Sequence, residues 1–440
     1  MPKNYLEVYQ MRIFIGLTIV GLALCFIDCS GTESGGGNVN ATGDYVVFAW
    51  NDLGMHCLNP TYDTAVILPP YNTVWAQVIK RGAKPQIITQ GLNVEYKIIN
   101  NTHSYGKKSY GQFWDNCQKL FGITLAKDTG LNLEDSAIHN GLSGNMVNKA
   151  DHFVVNGIPV TPIDDSNVWN PYQVAEVTVK SDAGDVVAKT QATVPTSDEI
   201  NCAKCHGDDA FQDALVKHDK DNKTNLLNSK PVLCASCHGS PALGTAGKGS
   251  SGKYLSEAIH GFHASKNAAC VDCHPGQISK CNRSLKHTAE DGNCITCHGD
   301  MKNVADTASS GTRTPWVNEP KCATCHKNVA EVDTSNILYR NAKGHGSVYC
   351  ASCHGSPHAM VPSREASDNY QAMQYQNKAK SIGSCGACHA DSKGVNNMGE
   401  FSGTHAGTNP EKKNACHVCH TSITTTTAKW PHAYQWISRK

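Results

Sequence analysis

Polarity along the chain divides it into three unlike stretches. Near the start, Lys3 and Arg12 are the basic residues ahead of an apolar run from Ile13 to Ile27, the layout of an export signal. The run ends at Cys29, and Ser30-Gly31-Thr32-Glu33-Ser34-Gly35-Gly36-Gly37 then forms a flexible tether. The next stretch carries β-type runs: Tyr45 to Trp50, Thr73 to Ile79, Val94 to Ile99 and Val174 to Lys180. The last of these alternates inward and outward residues and leads through Ser181-Asp182-Ala183-Gly184-Asp185 into Val186-Val187, a turn between strands. Several short strands with turn signals over about 150 residues predict a β-sandwich-like domain large enough to bury its own core. From Asn201 onward such runs almost vanish, and small and polar residues predominate. That stretch predicts coil with short helices, with too little apolar surface for a core of its own. The expected division is a signal at 1–29, a tether at 30–43, a β-rich domain at 44–200 and a third domain at 201–440. No second apolar run is long enough to predict a membrane-spanning helix in the mature chain.

Charge narrows the possible partners. The chain has a formal charge of +1, so it lacks the basic excess that displaces counterions from nucleic acid. Residues 44–200 hold 11 basic and 16 acidic side chains, whereas residues 201–440 hold 26 and 19. A positive surplus in the last stretch suits a segment that carries anionic groups.

What those groups are follows from two counts, 21 cysteines and 21 histidines. Thiols at this density argue against an ordinary cytosolic enzyme. Sixteen of the cysteines fall into Cys-x-x-Cys-His, in eight copies. The cysteine pairs are Cys202 and Cys205, Cys234 and Cys237, Cys270 and Cys273, Cys294 and Cys297, Cys322 and Cys325, Cys350 and Cys353, Cys385 and Cys388, and Cys416 and Cys419. Zinc knuckles could be built from a subset of these units, whereas disulfide staples do not specify the following histidine eight times out of eight. The spacing is that of c-type haem attachment. Two thiols reach the vinyl groups on one porphyrin edge, and the adjacent histidine lies under the iron. The proximal ligands are then His206, His238, His274, His298, His326, His354, His389 and His420. Successive motifs start 24 to 36 residues apart, a quasi-repeat that predicts an array of stacked haems acting as the core.

The sixth position on each iron decides between carrying electrons and catalysis. Outside the motif positions, residues 201–440 offer His218, His260, His263, His287, His345, His358, His405 and His432, eight candidates for eight irons. His417 lies inside the last motif, where its backbone is committed to the attachment loop. Met301, Met360, Met373 and Met398 are reserve ligands that would raise the potential, whereas two imidazoles favour a low one. Spacing alone does not assign a distal histidine to a motif, although His260 and His263, one helical turn apart, could feed two neighbouring irons. Irons with six protein and porphyrin ligands leave no room for substrate.

These motifs and the surplus histidines resemble the multihaem c-type cytochromes of metal-reducing and related bacteria. The stretch Trp50-Asn51-Asp52-Leu53-Gly54-Met55-His56-Cys57, with Ile67-Leu68-Pro69-Pro70-Tyr71-Asn72, is similar to an N-terminal module of some of them. The resemblance implies an exported octahaem protein, at the outer-membrane surface, outside the cell or in the periplasm. It would pass electrons by haem-to-haem hopping to other cytochromes or extracellular acceptors, and its relatives include filament formers. The competing reading is an octahaem reductase of nitrogen or sulfur compounds with one open haem. The Cys-x-x-Cys-Lys motif typical of nitrite-reducing members does not occur here. A third reading makes the β-rich domain a partner-binding or adhesive module.

The remaining cysteines leave choices open. Cys29 at the head of its tether resembles a bacterial lipoprotein start, which would give a lipid anchor. Asp28 and Phe26 depart from the usual pattern, so ordinary signal cleavage stands beside it. Cys57 and Cys117 are the cysteines of the β-rich stretch and the default disulfide in an oxidising compartment; Met55, His56 and Cys57 as a soft-metal or extra haem-ligand site is the other option. Cys281 could bridge to either, stay free or ligate a haem. His103, His139 and His152 read as ordinary surface residues.

Overall fold

A computed structural model describes residues 43–200, 202–287, 294–318, 320–324 and 337–390. The first of these segments forms two sheets. One runs in the order β1 (Tyr45–Trp50), β4 (Asn72–Lys80), β9 (Phe153–Ile158) and β8 (Val147–Asn148), with β5 (Gln86–Ile88) also paired to β4. The other runs β2 (His56–Cys57), β11 (Val186–Ser197), β10 (Tyr172–Ser181), β6 (Leu92–Ile98) and β7 (Ser143–Asn145). Strand β3 (Ala65–Val66) pairs in parallel with β12 (Val232–Leu233), which ties the β-rich stretch to the motif-bearing one.

Period-two alternation explains which faces meet. Val47 and Ala49 of β1, Val74, Ala76 and Val78 of β4, Val94 and Tyr96 of β6, and Val177 and Val179 of β10 all lie in one buried cluster between the sheets. Helix α1 (Gly111–Phe121) is an addition to the expected strands; it sits in the β-rich stretch and buries Phe113, Trp114, Cys117 and Leu120 beside Leu58 and Tyr62. Its apolar residues recur three and four apart, and Gly122 ends it in the left-handed conformation.

Strand β1 departs from simple alternation because it is buried on both faces. Its second face, Val46, Phe48 and Trp50, packs on Tyr349, Ala351, Tyr375 and Ala387 of the motif-bearing stretch. Full burial of a side chain of this size contributes about 2 kcal/mol. Backbone groups reinforce the seam: the Tyr375 hydroxyl donates to Val47 O at 2.6 Å, and Ala49 N–H donates to Gln371 at 2.9 Å. All described residues belong to one compact unit, Gly37–Lys440.

Beyond β11 the described residues are coil and short helices, with β12 the one named strand among them. The helices are α2 (Ala203–His206), α3 (Ala210–Asn222), α4 (Leu255–His263), α5 (Cys294–His298), α6 (Met301–Ser309), α7 (Cys350–His354) and α8 (Tyr370–Gln376). Each Cys-x-x-Cys-His motif in the described range forms a single helical turn or 3₁₀ turn. Among the described residues, no helix is long and apolar enough to cross a membrane.

Two expectations need correction. The structure does not join Cys57 to Cys117. Cys117 is enclosed by the α1 cluster, while Cys57, on β2, has Cys281 and Glu199 nearby. His152 is no surface residue either. Its ring stacks on Trp75 with centres 4.3 Å apart and its Nδ1 meets Asp151 at 2.7 Å and the Tyr349 hydroxyl at 3.1 Å. His139 is half-buried with Nδ1 enclosed, and of the three only His103 is largely exposed.

Candidate functional site: histidines paired across the attachment motifs

Five motif histidines each face one of the surplus histidines. Ring centres are 6.3 Å apart for His206 and His263, 6.3 Å for His218 and His238, and 6.0 Å for His260 and His274. They are 6.1 Å apart for His298 and His358, and 6.3 Å for His345 and His389. Direct ring stacking would bring centres closer, as Trp75 and His152 show. A metal held between two imidazoles by bonds of about 2.0 Å sets the ring centres roughly 6 Å apart. The pairs therefore fit an iron between them, one motif histidine and one surplus histidine in each case.

In seven of these ten rings the second nitrogen is engaged. On α4, His260 Nδ1–H donates to Ser256 O at 2.7 Å and His263 Nδ1–H to Ile259 O at 2.8 Å, each one helical turn back. His358 Nδ1–H donates to Leu53 O at 2.8 Å and His389 Nδ1–H to Ala83 O at 3.3 Å. His206 Nδ1 meets the Asp213 carboxylate at 2.6 Å, His238 Nδ1 the Ser251 hydroxyl at 2.9 Å, and His218 Nδ1 the Thr224 hydroxyl at 2.9 Å. Committing Nδ1 leaves Nε2 as the lone-pair donor and fixes the ring plane, the usual outer support of a metal-bound histidine.

Burial keeps several of these rings neutral, the form that binds a metal. It lowers His274 to about 4, helped by His260 and His358, and His298 to about 4, helped by His358, Arg313 and His274. His238, His260, His358 and His389 are lowered for the same first reason, burial. The same neighbourhoods show which motifs adjoin. The Cys202 thiol is raised by burial and by Cys273, Cys234 by burial and by Cys202 among its neighbours, and Cys294 by burial and by Cys270. The second, first, third and fourth motifs thus follow one another in space. Cys350 is raised by burial and by Cys322, which puts the fifth and sixth side by side.

Two further expected residues also have Nδ1 engaged. His354 Nδ1 meets the Ser381 hydroxyl at 3.0 Å and His287 Nδ1 the Ser284 hydroxyl at 3.3 Å. Cys29, Cys325, His326, His405, Cys416, His417, Cys419, His420 and His432 lie outside the described residues, as does Met398. His56 spends Nε2 on Asp52 at 2.9 Å, and among the described residues no three metal-binding side chains gather as a separate ion site.

Two arginines support the site without a sequence signal of their own. Arg81 reaches from the end of β4 to the seventh motif, donating from Nε to Ala387 O at 3.1 Å and from Nη2 to Gly386 O at 2.9 Å. Arg283, 2% exposed, grips Asp368 through Nε at 2.8 Å and Nη2 at 3.0 Å. A lone arginine in a sequence says nothing of such a task; of the supporting segments, only Trp50–Cys57 stands out from its residues.

A family model described as Cytochrome c3 matches residues 262–355, which run from the end of α4 through the sixth motif. No curated protein and no solved structure matches the chain. The matched segment supports a multihaem c-type cytochrome, with covalently held haem c and electron transfer as its chemistry.

Proposed function

We propose that the protein is an exported octahaem electron carrier whose irons are ligated by two histidines each. The observation that carries this reading is the set of five histidine pairs at iron spacing, 6.0 to 6.3 Å. Covalently held haem supplies one-electron redox chemistry by passage between neighbouring irons. The polypeptide's part is to close both axial positions, keep the imidazoles neutral and hold the motifs close enough for transfer. Cys202 to Cys419 in their eight pairs would attach the haems, and His206, His238, His274, His298, His326, His354, His389 and His420 would be proximal.

The adjacency of the second, first, third and fourth motifs supports a connected path. Donor and acceptor would be other cytochromes or extracellular oxidants, reached at the cell surface, outside the cell or in the periplasm. A lipid on Cys29 would tether the carrier. A filament would require a ligand such as His432 to pass between copies; removing residues 428–440 tests that by loss of polymer together with one low-spin iron. A reductase needs an iron with a free sixth position, and none of the five pairs offers one.

The reading is tested on the holoprotein. Mass spectrometry of the denatured, mature chain should show eight haems retained, and the reduced protein should bind little carbon monoxide. Rapid stoichiometric binding at one haem would favour the reductase.

A further inference from the structure

The stretch Trp50–Cys57 has no assigned task, yet it touches a histidine pair directly. Asn51 Oδ1 accepts from Leu53 N–H at 3.1 Å and Gly54 N–H at 2.6 Å, while its Nδ2 donates to Asn72 Oδ1 at 2.7 Å and Thr73 O at 2.8 Å. This turn is anchored to β4 and is 1% exposed at Asn51. It aims two carbonyls at the motif-bearing stretch. Leu53 O accepts from His358 Nδ1 at 2.8 Å, and Gly54 O accepts from Arg283 Nη1 at 2.7 Å. Arg283 closes the arrangement, since its backbone N–H donates to His358 O at 2.7 Å and Asp368 holds its guanidinium.

Gly54 is required twice over. Its φ is +81°, and a Cβ there would lie 2.9 Å from His358 N and 3.2 Å from His358 Cβ. Any side chain at this position must therefore push the turn away from His358.

We propose that the Asn51–Gly54 turn is a positioning device for one iron ligand. The Leu53 carbonyl fixes the tautomer and plane of His358, and so the spin state and potential of the haem between His298 and His358. The β-rich region thus acts as an outer scaffold for a redox site, not only as a separate module. A carbonyl accepting from Nδ1–H raises the basicity of the imidazole, which favours ferric iron and lowers the potential. The inference rests on the reading of His298 and His358 as a ligand pair.

The test compares Gly54→Ala with Gly106→Ala in the holoprotein. Gly106 has a similar φ of +85° but nothing within 4 Å of an added Cβ, so it carries the same backbone strain without the contact. Spectroelectrochemical titration of Gly54→Ala should move one haem upward in potential and alter one low-spin electron paramagnetic resonance signal. Gly106→Ala should leave every haem in place. A folded Gly54→Ala protein with all potentials and signals unchanged overturns the proposal. If that variant does not fold, Asn51→Ser, whose hydroxyl makes the same turn more weakly, should give a smaller upward shift of the same haem, and no shift overturns the proposal. His358→Ala separates the two levels. If it leaves all haems low-spin, the ligand reading fails; if it opens one haem while Gly54→Ala moves nothing, only the positioning role fails.

Discussion

His260 and His263 stand one turn apart on α4 yet face different motifs, His260 towards His274 and His263 towards His206. One short helix thereby serves two sites, and each ring is steadied by the carbonyl four residues back. Replacing His263 with alanine should open the His206 site alone. Carbon monoxide titration of the reduced variant should register one new binding haem, and His260→Ala one different haem. The same haem responding to both would contradict the assignment.

The ring planes make a spectroscopic prediction. The His260–His274 and His298–His358 planes lie 14° and 20° apart, whereas His206–His263 and His218–His238 lie 72° and 87° apart. Near-parallel imidazoles separate the ferric d orbitals and near-perpendicular ones leave them close in energy. Electron paramagnetic resonance of the oxidised protein should therefore contain both rhombic and strongly axial low-spin signals. A uniformly rhombic spectrum would count against near-perpendicular ligand planes at the first and second motifs.

Arg81→Ala should destabilise the fold. It removes the donors to Gly386 O and Ala387 O, and leaving two buried carbonyls without a partner costs about 2–6 kcal/mol. Chemical denaturation of the holoprotein measures it. The neighbouring His389, which donates to Ala83 O two residues from Arg81, should show a shifted haem in the same variant.

Acid should weaken the β-rich region through Asp198. Burial alone would raise this carboxyl, but hydrogen bonds from Lys108, Tyr110 and Trp169 outweigh it and hold it below its ordinary value. A carboxyl lowered on folding contributes stability above its unfolded value, roughly pH 4, and loses it as pH falls through the folded value. Asp198→Asn should be less stable at neutral pH and should flatten the stability profile below roughly pH 4. An unchanged profile would show that Asp198 has no part in acid sensitivity.

Much of this was legible in the sequence because two of its signals are local. Alternation in Val174–Lys180 and the turn at Ser181–Asp185 mark β10 and β11, and the attachment motif is contiguous by nature. The pairing of histidines was not legible, since His298 and His358 meet across 60 residues of chain and nothing in their neighbours encodes the partner. Strand β1 reads as an ordinary strand; its second buried face is covered by residues some 300 positions later, among them Tyr349 and Tyr375. The disulfide expected between Cys57 and Cys117 comes from counting thiols within one stretch, while the fold brings Cys281 of another stretch near Cys57.

Closure of the irons by histidine on both sides is what the electron-carrier function depends on most. Near-infrared magnetic circular dichroism of the oxidised, mass-verified holoprotein counts bis-histidine haems per chain most directly. All attached haems should fall in the bis-histidine band, with none high-spin. Fewer bis-histidine haems than the five pairs at His206, His238, His274, His298 and His389 would contradict that closure.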